Sequence, residues 1–84
     1  MALAADAVPT LLDRARSYAT ATAIVRGSVT ADDVAEWLEQ QGLPDLGPAA
    51  GSLFRGKEWE WTGRFVQSSR VANHARLLRV WRLR

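Results

Sequence analysis

Residues 55–84 read RGKEWEWTGRFVQSSRVANHARLLRVWRLR, and the fold turns on two alternating runs inside them. Trp59, Trp61, Gly63, Phe65 and Gln67 alternate with Glu58, Glu60, Thr62, Arg64 and Val66. Leu77, Arg79, Trp81 and Leu83 alternate with Leu78, Val80 and Arg82. A period of two is the signature of a strand with one buried face, so the two runs predict an antiparallel hairpin. The residues between them, SSRVANHAR (68–76), are polar and basic and predict a long tip. Burial of one strand face favours core positions for Trp59, Trp61 and Trp81 over a role as stacking platforms for single-stranded bases.

Upstream, the period becomes helical. Thr30 followed by Asp32 and Asp33 predicts an N-cap, with acids in the first turn complementing the helix dipole. Val34, Trp37, Leu38 and Gln41 then share a face, and Gly42 with Pro44 supplies the stop, giving a helix over 31–41. Before it, Leu11, Leu12, Ala15, Tyr18, Ala19 and Thr22 recur at helical spacing. They predict a first helix from about 6–9 to about Thr22, with Pro9 in its first turn. Residues 28–30 read as a connector or short strand. Pro48 suits the first position of a third helix through Arg55, ended by Gly56, with Leu46, Ala50, Leu53 and Phe54 inward. Ala49, Ser52 and Arg55 share its outward face.

The charge is divided along the chain. Residues 55–84 hold eight Arg and Lys against Glu58 and Glu60, a balance of +6; residues 1–54 balance to −4, and the whole to +2. A dipolar chain with a basic end predicts an anionic partner, with nucleic acid first. Its 84 residues predict one domain, with 1–7 as candidates for fraying. The absence of cysteine excludes disulfides and thiolate zinc sites, and one histidine offers no His-rich metal site. No apolar run reaches the roughly 20 residues needed to span a bilayer, and the N-terminus lacks a leader pattern, so a soluble, unprocessed protein of the cytoplasm is expected. Asp32, Asp33, Glu36 and Glu39 follow helix-dipole preference rather than metal-ligand spacing, and His74 has no motif partner to make it a base. No enzyme activity and no cofactor are expected.

The order of helix, connector, helix, turn, helix and hairpin describes an α+β winged helix-turn-helix domain: three helices followed by a two-stranded antiparallel β-hairpin, the wing. In that arrangement the third helix enters the major groove of double-stranded DNA through Ala49, Ser52 and Arg55. Lys57, Arg64, Ser69, Arg70, Asn73, His74 and Arg76 hold the backbone or minor groove. Arg79, Arg82 and Arg84 serve equally well as charges guarding a sheet edge. Helix 1, with Leu3, Leu11 and Leu12, is the expected homodimer surface, and docking to a host protein is the alternative function.

The segments TGRFVQSSR, NHAR and VWRL, with Thr62, Gly63, Ser69, Arg70, His74, Val80 and Trp81, resemble the C-terminal half of small winged-helix proteins of actinobacteria and their phages. TADDVAEWL (30–38) is similar to the second helix of those proteins, so the resemblance covers about 28–84. Where the family often has Pro after the wing Arg, this chain has Val71. The resemblance implies the winged fold, in a family whose functions are mostly unassigned, and the expectation for this chain is a phage or bacterial regulator, or a replication or recombination accessory factor, acting on double-stranded DNA.

Overall fold

Thr30 starts the best-defined helix of the chain by a reciprocal pair of hydrogen bonds. Its Oγ1 accepts the Asp33 N–H at 3.4 Å, and its own N–H donates to Asp33 Oδ2 at 2.8 Å. Two otherwise orphaned donors are satisfied at once, in a capping box with Asp in the place of the usual Glu. The computed structural model describes residues 2–70 and 76–84, with side chains from Leu11 onward, Pro48 excepted. Its elements are α1 (Ala2–Arg26), α2 (Ala31–Gln40), a 3-10 segment (Gly47–Ser52), β1 (Trp59–Gln67) and β2 (Leu77–Leu83).

The first helix is longer than its periodicity indicates. Ile24 and Val25 remain helical, and the chain leaves the helix at Gly27, which takes φ +90° while its N–H still donates to the Ala23 carbonyl. Only glycine occupies that conformation without strain, so the stop lies there rather than at the β-branched pair. Ala15, Ala19 and Ala23 form a buried stripe at four-residue spacing. Their small side chains let α1 approach Val34 and Leu38 of α2, also buried. Tyr18 stacks on Trp37 across the seam, with centroids 4.6 Å apart and planes 9° apart, and both half-buried rings pack against the core.

The expected third helix is not formed. Residues 47–52 make a 3-10 segment, with i→i+3 bonds from Ala49 N–H to Leu46 and from Leu53 N–H to Ala50. The protein is therefore an α+β chain of two α-helices and a two-stranded antiparallel sheet, not a three-helix winged helix-turn-helix. The cause is local: a six-residue stretch holding Gly47, Pro48 and Gly51 cannot repay helix nucleation, and 3-10 geometry is the usual resort of such short pieces. The apolar positions still find the interior. Leu53 is buried, Leu46 and Phe54 pack against the core, and Arg16 of α1 donates to the Ser52 carbonyl at 3.1 Å.

Both strands form where the alternation places them. Val29 adds an isolated antiparallel bridge to Trp81, with N–H···O bonds of 2.9 Å in both directions, and so fixes the connector before α2 to the sheet. Trp59 is buried; Phe54 meets it edge-on at 4.9 Å and stacks on Trp81 at 5.4 Å.

Because the α2 cap satisfies two buried-side donors with one residue pair, Thr30→Ala should cost about 1 kcal/mol. Thermal denaturation followed by circular dichroism should show a midpoint lower by roughly 4–8 °C. An unchanged midpoint would mean that the box contributes nothing to stability.

Candidate functional site

The ladder between β1 and β2 changes register in the middle. Trp59, Glu60 and Trp61 pair with Leu83, Arg82 and Trp81, whereas Phe65, Val66 and Gln67 pair with Arg79, Leu78 and Leu77. Thr62, Gly63 and Arg64 thus face Val80 alone, an excess of two residues on β1. Gly63 takes φ +86°. Thr62 stitches the bulge, its Oγ1 donating to the Val80 carbonyl at 2.9 Å and accepting the Arg64 N–H at 3.2 Å.

An even excess preserves the facing of the strand, where a single extra residue disturbs it. Trp61 and Phe65 accordingly stand on one face. In a flat strand, residues four apart are separated by about 13 Å. Here the bulge brings their rings to 5.2 Å, inclined at 62°. Arg79, opposite Phe65, lays its guanidinium 4.7 Å from the Trp61 ring centroid, and the indole Nε1 donates to the Arg64 carbonyl at 3.0 Å. Trp61 is 38% exposed and Phe65 51%. The core position expected for Trp61 is therefore not what forms: Trp59 is buried and Trp81, directly opposite Trp61, stacks on Phe54, whereas Trp61 itself stands exposed.

Leu77, 66% exposed, continues the apolar surface. Residues 61–81 contain Arg64, Arg70, Arg76 and Arg79 and no Asp or Glu. The side chains of Arg64 and Arg76, and of Lys57 nearer the core, are exposed and make no hydrogen bond or ion pair with any described residue.

The other end of the hairpin is latched to α2. Ser68 N–H donates to the Arg76 carbonyl, extending the ladder, while buried Ser68 Oγ donates to Asp32 Oδ2 at 2.7 Å. Ser69 N–H reaches the same oxygen at 3.2 Å, and Arg70 pairs with Glu39 at 3.2 Å. Two acids of α2, Asp32 and Glu39, thus hold the hairpin.

The expected site residues are consequently dispersed. Ala49 and Ser52 are half-buried in the 3-10 segment, which leaves the major-groove role without a helix to carry it. Arg55 is exposed and bonds back to the Gly51 carbonyl at 3.3 Å. Arg64 and Arg76 are exposed on the hairpin, Ser69 and Arg70 are engaged with α2, and Asn73 and His74 lie outside the described residues. Leu11 and Leu12 of the expected dimer surface pack partly against the core, and among the described residues of α1 the exposed large apolar side chains are Ile24 and Val25. The side chain of Leu3 lies outside the described residues.

Two contributors were missed by the sequence reading, Phe65 and Arg79. The signal available for them was Gly63 between two aromatics, since a glycine inside a strand pattern marks a bulge. Among the described residues, no cluster of His, Asp or Glu is placed to hold a metal ion, and no helix is long and apolar enough to cross a membrane. No family model, curated protein or solved structure matches this chain.

A Cβ at Gly63 meets no atom within 4 Å, so the cost of Gly63→Ala is conformational alone. The substitution should destabilise by roughly 1–2 kcal/mol, the penalty for an L-residue in left-handed backbone. Urea denaturation should show that loss, and near-ultraviolet circular dichroism should show the Trp61 environment relaxed. Wild-type stability in the variant would contradict this account of the bulge.

Proposed function

We propose that this chain is a non-enzymatic nucleic-acid-binding module whose contacting element is the hairpin, with double-stranded DNA among its ligands. The observation that supports the reading most is the sign of the charge on residues 61–81. Four arginines stand there without a carboxylate, and Glu39 neutralises Arg70 alone. Lys57, Arg64, Arg76 and Arg79 are left to face a polyanion.

In this reading, affinity comes from phosphate neutralisation and register from the rigidity of the ribbon, because two-stranded ribbons enter grooves as helices do. Arg55, exposed beyond the 3-10 segment, adds a cation but belongs to no recognition helix. The rival reading, a protein-docking module, draws on the exposed Trp61 and Phe65 beside arginines, residue types that anchor protein interfaces. A partner retained from lysate after exhaustive nuclease digestion, together with no binding to purified nucleic acid, would favour the rival.

Four phosphate contacts on B-DNA give a slope of about −3.6 in log affinity against log salt, so affinity should fall by about 100-fold between about 50 and 200 mM salt. Arg64→Ala and Arg76→Ala should each weaken binding to all duplex sequences alike and flatten that slope by about 1. Fluorescence anisotropy with a labelled duplex measures both. Affinity indifferent to salt over that range would sink the reading.

A further inference from the structure

The charges account for phosphate, but not for the exposure of two aromatic rings. A Trp and a Phe on a surface, with a leucine beside them, are a cost in water that phosphate binding does not recover. The chain has the means to bury such rings, as Trp59 does against Phe54. Instead, the bulge gathers Trp61 and Phe65 on an outward face and fixes the indole from three sides. Arg64 takes its N–H, Phe65 contacts its ring, and Arg79 lies over it.

We propose that Trp61 and Phe65 form a stacking platform for unpaired bases, so that the hairpin prefers single-stranded nucleic acid, or single-stranded stretches within duplex, over fully paired DNA. The proposal deepens the nucleic-acid reading above and rests on it. A π face accepts any base, whereas bases within a duplex present their faces only to one another; an exposed ring pair is therefore complementary to unpaired strands. Charge complementarity favours this occupant over an apolar peptide. A strand stacked on Trp61 meets Arg79 in the ring contact, with the exposed Arg64 and Arg76 on the same hairpin and no carboxylate in residues 61–81 to oppose its phosphates. Pre-fixing the indole and the guanidinium lowers the ordering cost of binding. Backbone phosphate and base face are common to DNA and RNA, so the platform itself is indifferent to the sugar.

The test titrates the full chain with an oligothymidylate of about 15 nucleotides, the matching oligouridylate, and the oligothymidylate–oligoadenylate duplex, at one low salt concentration. Tryptophan fluorescence should quench with either single strand, which should bind more tightly than the duplex; a preference between the two strands would identify the sugar. Trp61→Ala should weaken single-strand binding by roughly 5- to 150-fold, the worth of one stacked base, and change duplex binding much less. Trp61→Phe should restore most of the loss. Phe65→Ala, which leaves the indole bond to Arg64 in place, should lose several-fold in parallel and guards against a Trp61→Ala variant that disturbs the bulge.

Equal loss on single strand and duplex, or no loss in either aromatic variant, overturns the platform. If Arg64→Ala still weakens binding in that case, phosphate recognition stands without stacking. Absence of binding to every one of these polymers overturns both proposals together.

Discussion

The ring of Phe54, held between Trp59 and Trp81, is the contact on which the rest of the molecule depends. It meets one tryptophan edge-on at 4.9 Å and stacks on the other at 5.4 Å, so both strands of the hairpin are bound to the segment that follows α2. Aromatic pairs in these geometries contribute about 0.5–1.5 kcal/mol beyond the area they bury. Val29 adds its bridge to Trp81, and Arg84 N–H donates to the Glu58 carbonyl, so the connector and the C-terminal end of β2 join the same anchor. A two-stranded ribbon alone is marginal in water. Fastened at this end by packing and at the other to Asp32 and Glu39, it becomes a stiff support for the rings between.

That stiffness gives the bulge its consequence. Two surplus residues on β1 keep odd-numbered side chains on one face, and the alternation that buries Trp59 therefore continues into the exposed pair of Trp61 and Phe65. Val80 and Ser68, on the opposite face, are buried. The hairpin changes which face it hides along its length: the odd face at the Phe54 end, the even face towards the α2 latch. The outward rings follow from this crossover and from Gly63, not from a shortage of interior.

This separates what the sequence makes legible from what it does not. The strands were readable to within a residue at their ends because period two is a backbone property, and Thr30 with Asp33 announced α2 because capping is settled within four residues. The 3-10 segment was misread because its apolar positions, Leu46, Leu53 and Phe54, fit a helix; Gly47 and Gly51 decide against one, and propensity is a small term easily overlooked beside a pattern. Trp61 was misplaced for a different reason: alternation tells which face a side chain takes but not how far the core beneath that face extends. The Arg70 pair with Glu39, 31 residues apart in sequence, has no local signal at all.

The partition of charge also changes once contacts are known. Of the eight cations in residues 55–84, Arg70 is taken by Glu39 and Arg82 by Glu60. Exposed pairs of this kind contribute little to stability, typically under about 1 kcal/mol. Their larger effect is spatial. Arg70 is drawn to α2 and Arg82 to the core end of the ribbon, while Arg64, Arg76 and Arg79 remain on the stretch that carries the exposed rings. Ion pairing thus leaves Arg64, Arg76 and Arg79 of the aromatic stretch without a carboxylate partner, while Arg70 is held by the acidic half of the chain through Glu39 and Arg82 by Glu60 across its own hairpin.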